Sequence, residues 1–309
     1  MDLPLNISAL QDFTLQNFAK RKCLSDKSAS LTFEELWHLV DIKSIDFRHK
    51  SPKAPIAIFA ENSISTLINI FAIWKAGGVV VPLNPKLSSS QKDKLLEQIR
   101  PERVIQSKEN QISGYEKSDF LPDEVDLLIA TSGSTGLPKL VALTIANFIW
   151  SAHGSSENIA VDPNDTWLIS LPLFHVGGMS IIFRTMLAGA NAIISPKILD
   201  GDFIDQHRIT HFSLVATLLD RFIQTEVSLN KVTKAILVGG SKIPQALIQK
   251  SIDLNLPIHT SYGCSEMASQ VCTTSKEATI DELMTAGKVL AGRQVKINQN
   301  GRIQLNGKT

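Results

Sequence analysis

The sequence predicts an α/β protein of two stacked, mainly parallel lobes followed by the start of a small β element. Three observations carry that prediction. Short β-rich runs alternate with amphipathic runs of helical length along most of the chain, the rhythm of right-handed crossovers and parallel sheets. The strands so read outnumber the ~10 that one open sheet carries comfortably, which asks for two sheets. After about Ala286 the texture changes to strand, Asn-Gly turn, strand. The expected units are 1–165, a first α/β subdomain; 166–285, a second; and 286–309, the beginning of a β subdomain.

Taken in order, roughly the first fifty residues read as an irregular or helical lead-in. Within them "LTFEELWHLVDIK" has apolar residues at helical spacing, with Thr32 placed as a cap and Glu35 three residues on. "PIAIFA" is a strand, "SISTLINIFAIWKAGG" a helix ending on glycines, and "VVVPLN" a strand. "SSSQKDKLLEQIR" is a helix with serines at its start, and "RVIQS" a third strand. Two apolar runs then flank the cluster "TSGSTGLPK". Beyond it the strands are "TWLISLP", "NAIIS", "HFSLVA", "KAILVGG" and "PIHTSYG". Between them lie the helices "GGMSIIFRTMLAGA", "GDFIDQHR", "TLLDRFIQTEV" and "IPQALIQKSIDL".

Bulk properties narrow the class. Lys plus Arg is 31 against Asp plus Glu 30, so the net charge of +1 argues against a nucleic-acid partner. Cys23, Cys264 and Cys272 are odd in number and lack zinc-type spacing, which fits free thiols in a reducing compartment. "MDLPLNISALQDF" has no basic start or apolar run of a signal peptide, and no run approaches a membrane span. The expected location is cytoplasmic.

"TSGSTGLPK", Thr131 to Lys139, carries the strongest local signal. Gly133 and Gly136 let backbone N–H groups turn toward an anion, Ser132, Ser134 and Thr135 add donors, and Lys139 adds a mobile positive charge. It is not a Walker loop, because Leu-Pro precedes the lysine and a strand rather than a helix follows. A plain turn would need one or two such residues, not a cluster.

Three further segments, in order, are "LPLFHVGG" (171–178), "VGGSKIP" (238–244) and "SYGCSE" (261–266). Together with "TSGSTGLPK" they resemble the phosphate loop, the His-containing segment, the adenine-side loop and the Tyr-Gly-x-Thr/Ser-Glu motif of the adenylate-forming superfamily. The resemblance spans most of the chain from about residue 30. It implies that a carboxylate attacks the α-phosphate of ATP, giving an acyl-adenylate and pyrophosphate, and that a thiol, usually of CoA, then displaces AMP. Mg²⁺ would be the metal. A homodimer is compatible with it.

By that resemblance Thr131, Ser132, Gly133, Ser134, Thr135, Gly136 and Lys139 would hold phosphates, and Thr135 and Glu266 would place Mg²⁺. Gly239, Gly240, Ser241, Ser261, Tyr262, Gly263 and Ser265 would surround the adenine, Ser265 keeping the hydroxyl of the usual Thr. Lys139, His175 and Glu266 form the implied catalytic set, with His175 orienting the carboxylate rather than moving a proton. On the residues alone, Gly239-Gly240 is better read as an ordinary strand-to-helix turn, and a lone His is more often structural.

"LPLFHVGGMSIIFRTMLAGA" looks most like o-succinylbenzoate–CoA ligases of menaquinone synthesis. There an arginine nine residues after the motif His binds a second carboxylate of the acid, a position held here by Arg184. Arg184 stands two helical turns beyond Gly177, on the same face. A buried arginine in so apolar a helix requires an anion. Pairing with a nearby Asp, or snorkelling to solvent, are the other readings. A medium- or long-chain fatty acid, or another aryl acid, is the alternative substrate.

Family members continue into a Tyr/Phe-x-Thr-Gly-Asp segment, a hinge and a mobile C-terminal domain bearing the adenylation lysine. None of these precedes Thr309, and Asp281, Glu282 and Lys288 do not stand in those motifs. The chain therefore reads as an N-terminal portion with little activity alone, as half of a split enzyme, or as a non-catalytic nucleotide- or acyl-adenylate-binding remnant. The intact motifs favour the first.

Overall fold

The computed structural model describes residues 2–48, 53–106, 109–112, 124–131, 138–225, 229 and 232–307. α1 (Ile7–Phe18) is followed by a hairpin of β1 (Lys22–Ser25) and β2 (Ser30–Thr32), then by α2 (Phe33–Ser44). Thr32 and Glu35 close a capping box at the start of α2, as their spacing predicts. β3 (Pro55–Phe59), α3 (Ile64–Lys75), β4 (Val79–Leu83), α4 (Ser89–Ile99) and β5 (Arg103–Gln106) alternate. With β6 (Glu109–Ile112), β7 (Leu127–Thr131) and β8 (Lys139–Leu143) they build a six-stranded sheet, ordered β6-β5-β3-β4-β7-β8. Its centre is parallel, and β6 and β8 run antiparallel at its edges.

α5 (Ile145–Ser156), β9 (Thr166–Ile169), α6 (Val176–Ala188), β10 (Asn191–Ile194) and α7 (Gly201–Gln206) come next. β11 (His211–Leu214), α8 (Ala216–Gln224), β12 (Ala235–Val238), α9 (Gln245–Asp253) and β13 (Ile258–Cys264) continue the alternation. β13 then folds back on β14 (Ser269–Thr273), and α10 (Ile280–Leu283) leads to β15 (Lys288–Val289). The second sheet has nine strands, ordered β15-β14-β13-β12-β11-β9-β10-β1-β2. β16 (Arg293–Ile297) and β17 (Ile303–Gly307) form a separate antiparallel hairpin.

The α/β architecture with two mostly parallel sheets is the one the sequence predicts. The lead-in is a correction: it contains a β-hairpin, and β1 lies parallel to β10 with Leu24 opposite Ala192. Cys23 and Leu24 are buried, so two apolar residues suffice to dock a strand onto the edge that β10 would otherwise leave open. This hairpin falls within 1–165 but belongs to the nine-stranded sheet.

Strand alternation sorts the core into layers. Ile56, Ile58 and Val80 face a central helical layer, while Ala57, Phe59, Val79 and Val81 face Leu95, Leu96 and Ile99 of α4. α1, α2, α3, α5 and α6 supply that central layer, which also receives Trp167, Ile169 and Leu237 from the other sheet. Aromatic contacts run through it, from Trp37 stacked on Phe71 (5.6 Å) to Phe148 stacked on Phe183 (5.0 Å). α7, α8 and α9 cover the outer face of the nine-stranded sheet.

Candidate active site

In parallel sheets, ligands settle at the carboxyl ends of the strands. Here those ends converge on a cavity of about 470 Å³. Thr131 ends β7; Ser213, Leu214 and Val215 come from β11 and its exit; Gly239 and Gly240 follow β12; Ser261 and Gly263 belong to β13. His175, Gly177 and Arg184 line it from α6, and Ser265, Ser269 and Gln270 from the turn and strand after β13. Residues distant in sequence are thus brought to one cavity.

α6 starts where its glycines allow. A Cβ on Gly178 would stand 2.3 Å from the Pro172 carbonyl oxygen, so the helix can press on the preceding turn only without a side chain there. Asn62, from the loop after β3, clasps that turn: its Nδ2 donates to the Leu171 carbonyl and its Oδ1 accepts from the Leu173 amide, each at 3.0 Å. His175 is the N-cap of α6 and presents its ring to the cavity. The residue is exposed at the cavity, and partial desolvation of the ring there holds its pKa below the ordinary value, so the imidazole is neutral at neutral pH.

Arg184 is 4% exposed. Its Nη2 donates to Gln270 Oε1 at 2.7 Å, and its guanidinium lies over the Trp167 ring at 5.3 Å. Ser155 Oγ donates to the same Gln270 oxygen at 2.7 Å. Neither Arg184 Nε nor Gln270 Nε2 has a hydrogen-bond partner among the described residues. Burial alone drives the guanidinium pKa down to about 9, and no carboxylate contributes to the shift. The group remains cationic at neutral pH. Neither the Asp pairing nor the snorkelling considered from sequence is what the structure shows. A fully buried cation with only neutral partners is an unbalanced charge facing a cavity.

A second, larger cleft of about 930 Å³ adjoins the first and shares Gly240, Ser261 and Gly263 with it. Ser241 and Tyr262 line it as well. The glycines at this junction are steric requirements. A Cβ on Gly263 would lie 1.9 Å from the Ser269 carbonyl oxygen, and one on Gly239 would lie 2.4 Å from Ser261 Oγ. Gly240 has a φ of +82°, the left-handed region. Ser261 Oγ is tied to the Val238 carbonyl at 3.1 Å, which fixes the β12–β13 walls of the cleft.

Thr131 and Lys139 face each other across the β7–β8 pair, with Thr131 Oγ1 donating to the Lys139 carbonyl at 3.3 Å. Lys139 is exposed at the head of β8. Ser132, Gly133, Ser134, Thr135 and Gly136 lie outside the described residues. Glu266 is exposed on the short 3-10 turn Ser265–Met267, which lies against β8. It does not line either cavity. Among the described residues no group of three or more His, Cys, Asp or Glu side chains could cage a metal. A lone carboxylate on a turn against β8 fits Mg²⁺, which takes most of its oxygens from substrate phosphates and water.

The family model for "AMP-binding enzyme" matches residues 12–122 and 106–309. The chain belongs to the AMP-binding enzyme family. Its curated relatives include the 2-succinylbenzoate–CoA ligase of Bacillus pumilus, 29% identical over 274 residues, covering 80% of this chain and 56% of the relative. The ligase of the same name from Bacillus cereus strain Q1 is 28% identical, covering 91% and 63%. The chain thus spans 56–63% of these relatives' length. Among solved structures, o-succinylbenzoate CoA synthetase from Bacillus subtilis in complex with its acyl-adenylate intermediate superposes with a TM-score of 0.85 at 25% identity. That match covers 100% of this chain and 70% of the other. The same synthetase with ATP and magnesium ion gives 0.84 at 26% identity, covering 97% and 70%.

Within this AMP-binding enzyme the sequence reading missed Gln270, Ser155, Trp167 and Asn62. Gln270 stands in "SEMASQVC", four residues after the Glu266 that closes the "SYGCSE" motif. The one signal it offers, a polar residue ahead of the apolar pair Val271-Cys272, does not by itself mark a site. Trp167 and Ser155 carry none, because their roles arise only when β9 and α5 meet α6.

Proposed function

We propose that this chain supplies the nucleotide- and acid-binding part of an AMP-forming acid–CoA ligase, with 2-succinylbenzoate as the acid. The observation that carries the choice of acid is Arg184, a buried guanidinium with no carboxylate partner among the described residues, on the wall of the cavity that also holds His175. Names of relatives at 28–29% identity support the same acid.

The acid would enter the smaller cavity with its distal carboxylate at Arg184 and its reacting carboxylate toward His175. Neutral His175 can donate one hydrogen bond to that carboxylate without protonating it, which preserves the nucleophile. The adenosine of ATP would occupy the larger cleft between Tyr262 and the Gly240–Ser241 segment. The phosphates would run toward Thr131 and Lys139, whose ammonium offsets the repulsion between two approaching anions. When bound, Mg²⁺ would neutralise phosphate charge, held by Glu266 and Thr135. The carboxylate oxygen bonds to the α-phosphorus as pyrophosphate leaves, and the CoA thiolate then forms the thioester as AMP leaves. Cys23, Cys264 and Cys272 are free thiols, which suits the cytoplasm.

Calorimetry on the 309-residue chain tests this, with non-hydrolysable sulfamoyl mimics of 2-succinylbenzoyl-adenylate and benzoyl-adenylate. The expected result is tighter binding of the succinylbenzoyl mimic by roughly tenfold or more, the worth of a charge-assisted hydrogen bond. Equal affinities would overturn the dicarboxylate reading, and absence of binding by either would overturn the adenylate reading.

A further inference from the structure

Arg184 lines two cavities, not one. Behind the site described above lies a second space of about 190 Å³ between the C-terminal ends of α5 and α6 and the N-terminal segment. Its walls include Leu3, Phe13, Ala152, Val161, Leu187 and Ala188. Asp2, His153 and Ser156 are its polar residues besides Arg184. The helical spacing explains the arrangement. Gly177 and Arg184 are seven residues apart on α6 and look into the front cavity, whereas Arg184, Leu187 and Ala188 are three and four residues apart and border the rear one. One face of α6 therefore runs along both spaces, and Arg184 stands where they meet.

We propose that Arg184 is the partition of a longer groove: it ends the acyl site at its guanidinium and shuts off a rear, mainly apolar cavity that would otherwise take the tail of a longer, uncharged carboxylic acid. The inference rests on the proposed acyl site. The rear space has room for about six water-sized groups at ~30 Å³ each, enough for several methylenes. Its walls offer a chain mainly apolar contact, Asp2 being their one carboxylate and lying exposed near the start of the chain. Arg184 thus does two things for specificity. It attracts an acid that carries a second anion, and it physically excludes one that carries an extended alkyl chain.

The test uses sulfamoyl-adenylate mimics of straight-chain acids from butanoyl to decanoyl, titrated into wild type, Arg184→Ala and Arg184→Met. Wild type should bind the shorter mimics and lose affinity as the chain reaches the guanidinium. Arg184→Ala should gain for the longer mimics, roughly fourfold for each further methylene buried. Arg184→Met removes the charge but keeps the bulk, so it should gain little. Adding Ala188→Phe to Arg184→Ala should fill the rear space and cancel the gain. Equal gains in the Ala and Met variants would show that charge alone sets the limit and would overturn the partition. So would a gain that survives Ala188→Phe. If wild type and variants bind no adenylate mimic of any length, the acyl-site reading fails and this inference fails with it, an outcome distinct from a wild type that binds while Arg184→Ala leaves chain length unchanged.

Discussion

Arg184, Gln270 and Ser155 form a chain in which one amide oxygen serves two donors. Gln270→Leu keeps the approximate size but removes that oxygen, leaving Arg184 Nη2 and Ser155 Oγ without their acceptor. We expect a loss of about 1–3 kcal/mol in urea unfolding, together with weaker binding of the succinylbenzoyl-adenylate mimic and unchanged binding of ATP. A drop in stability with both affinities intact would show that Gln270 does not position Arg184. Arg184→Lys keeps a charge but cannot reproduce the guanidinium fork, so it should bind the dicarboxylate mimic less well than wild type yet better than Arg184→Ala. Arg184 was legible in the sequence because a cation in the middle of "MSIIFRTMLAGA" conflicts with its neighbours. Gln270 was not, since a neutral amide raises no such conflict until the strand is seen to pass beneath α6.

The helices declare themselves through their caps and the strands through their β-branched runs. Thr32→Ala should cost about 1 kcal/mol, because it opens the capping box of α2; urea unfolding measures it. The turn glycines predict a graded series. Gly263→Ala drives a Cβ into a backbone carbonyl that cannot swing away, so it should disrupt the β13–β14 pairing and abolish nucleotide binding. Gly239→Ala meets only the Ser261 hydroxyl, so its loss should be smaller and largely restored by Ser261→Ala in the double variant. Calorimetry with AMP distinguishes the two, and failure of the double variant to recover would count against the steric cause. Several elements escaped the sequence reading, α5, β6 and α10 among them, and for two others the physical reason is plain. The β1–β2 hairpin has short strands whose pairing depends on an edge supplied by residues 191–194, and β14 follows a motif whose reversal is set by the left-handed Ala268 and Ser269.

At the scale of the whole molecule, buried histidines link folding to pH. Burial is the leading cause that lowers the pKa of His211 and His259, His211 reaching about 4. In the unfolded chain each takes its proton near ~6.5. Below that pH the unfolded state binds more protons, so stability present at neutral pH is lost as the pH falls from about 6.5 toward 4. His211 alone should account for about 2 kcal/mol between pH 7 and pH 5. Urea unfolding at the two pH values measures it; His211→Gln should flatten the profile, and an unaltered profile in that variant would assign the effect elsewhere. The two sheets themselves are joined beside the smaller cavity by Asn62, which reaches from the loop after β3 to both backbone groups of the 171–173 turn. Neither lobe can finish the mouth of the cavity by itself. A ligand seated there acts as a rivet through a seam, so saturating it should raise the unfolding temperature of both lobes together, as one sharper transition instead of two separated ones.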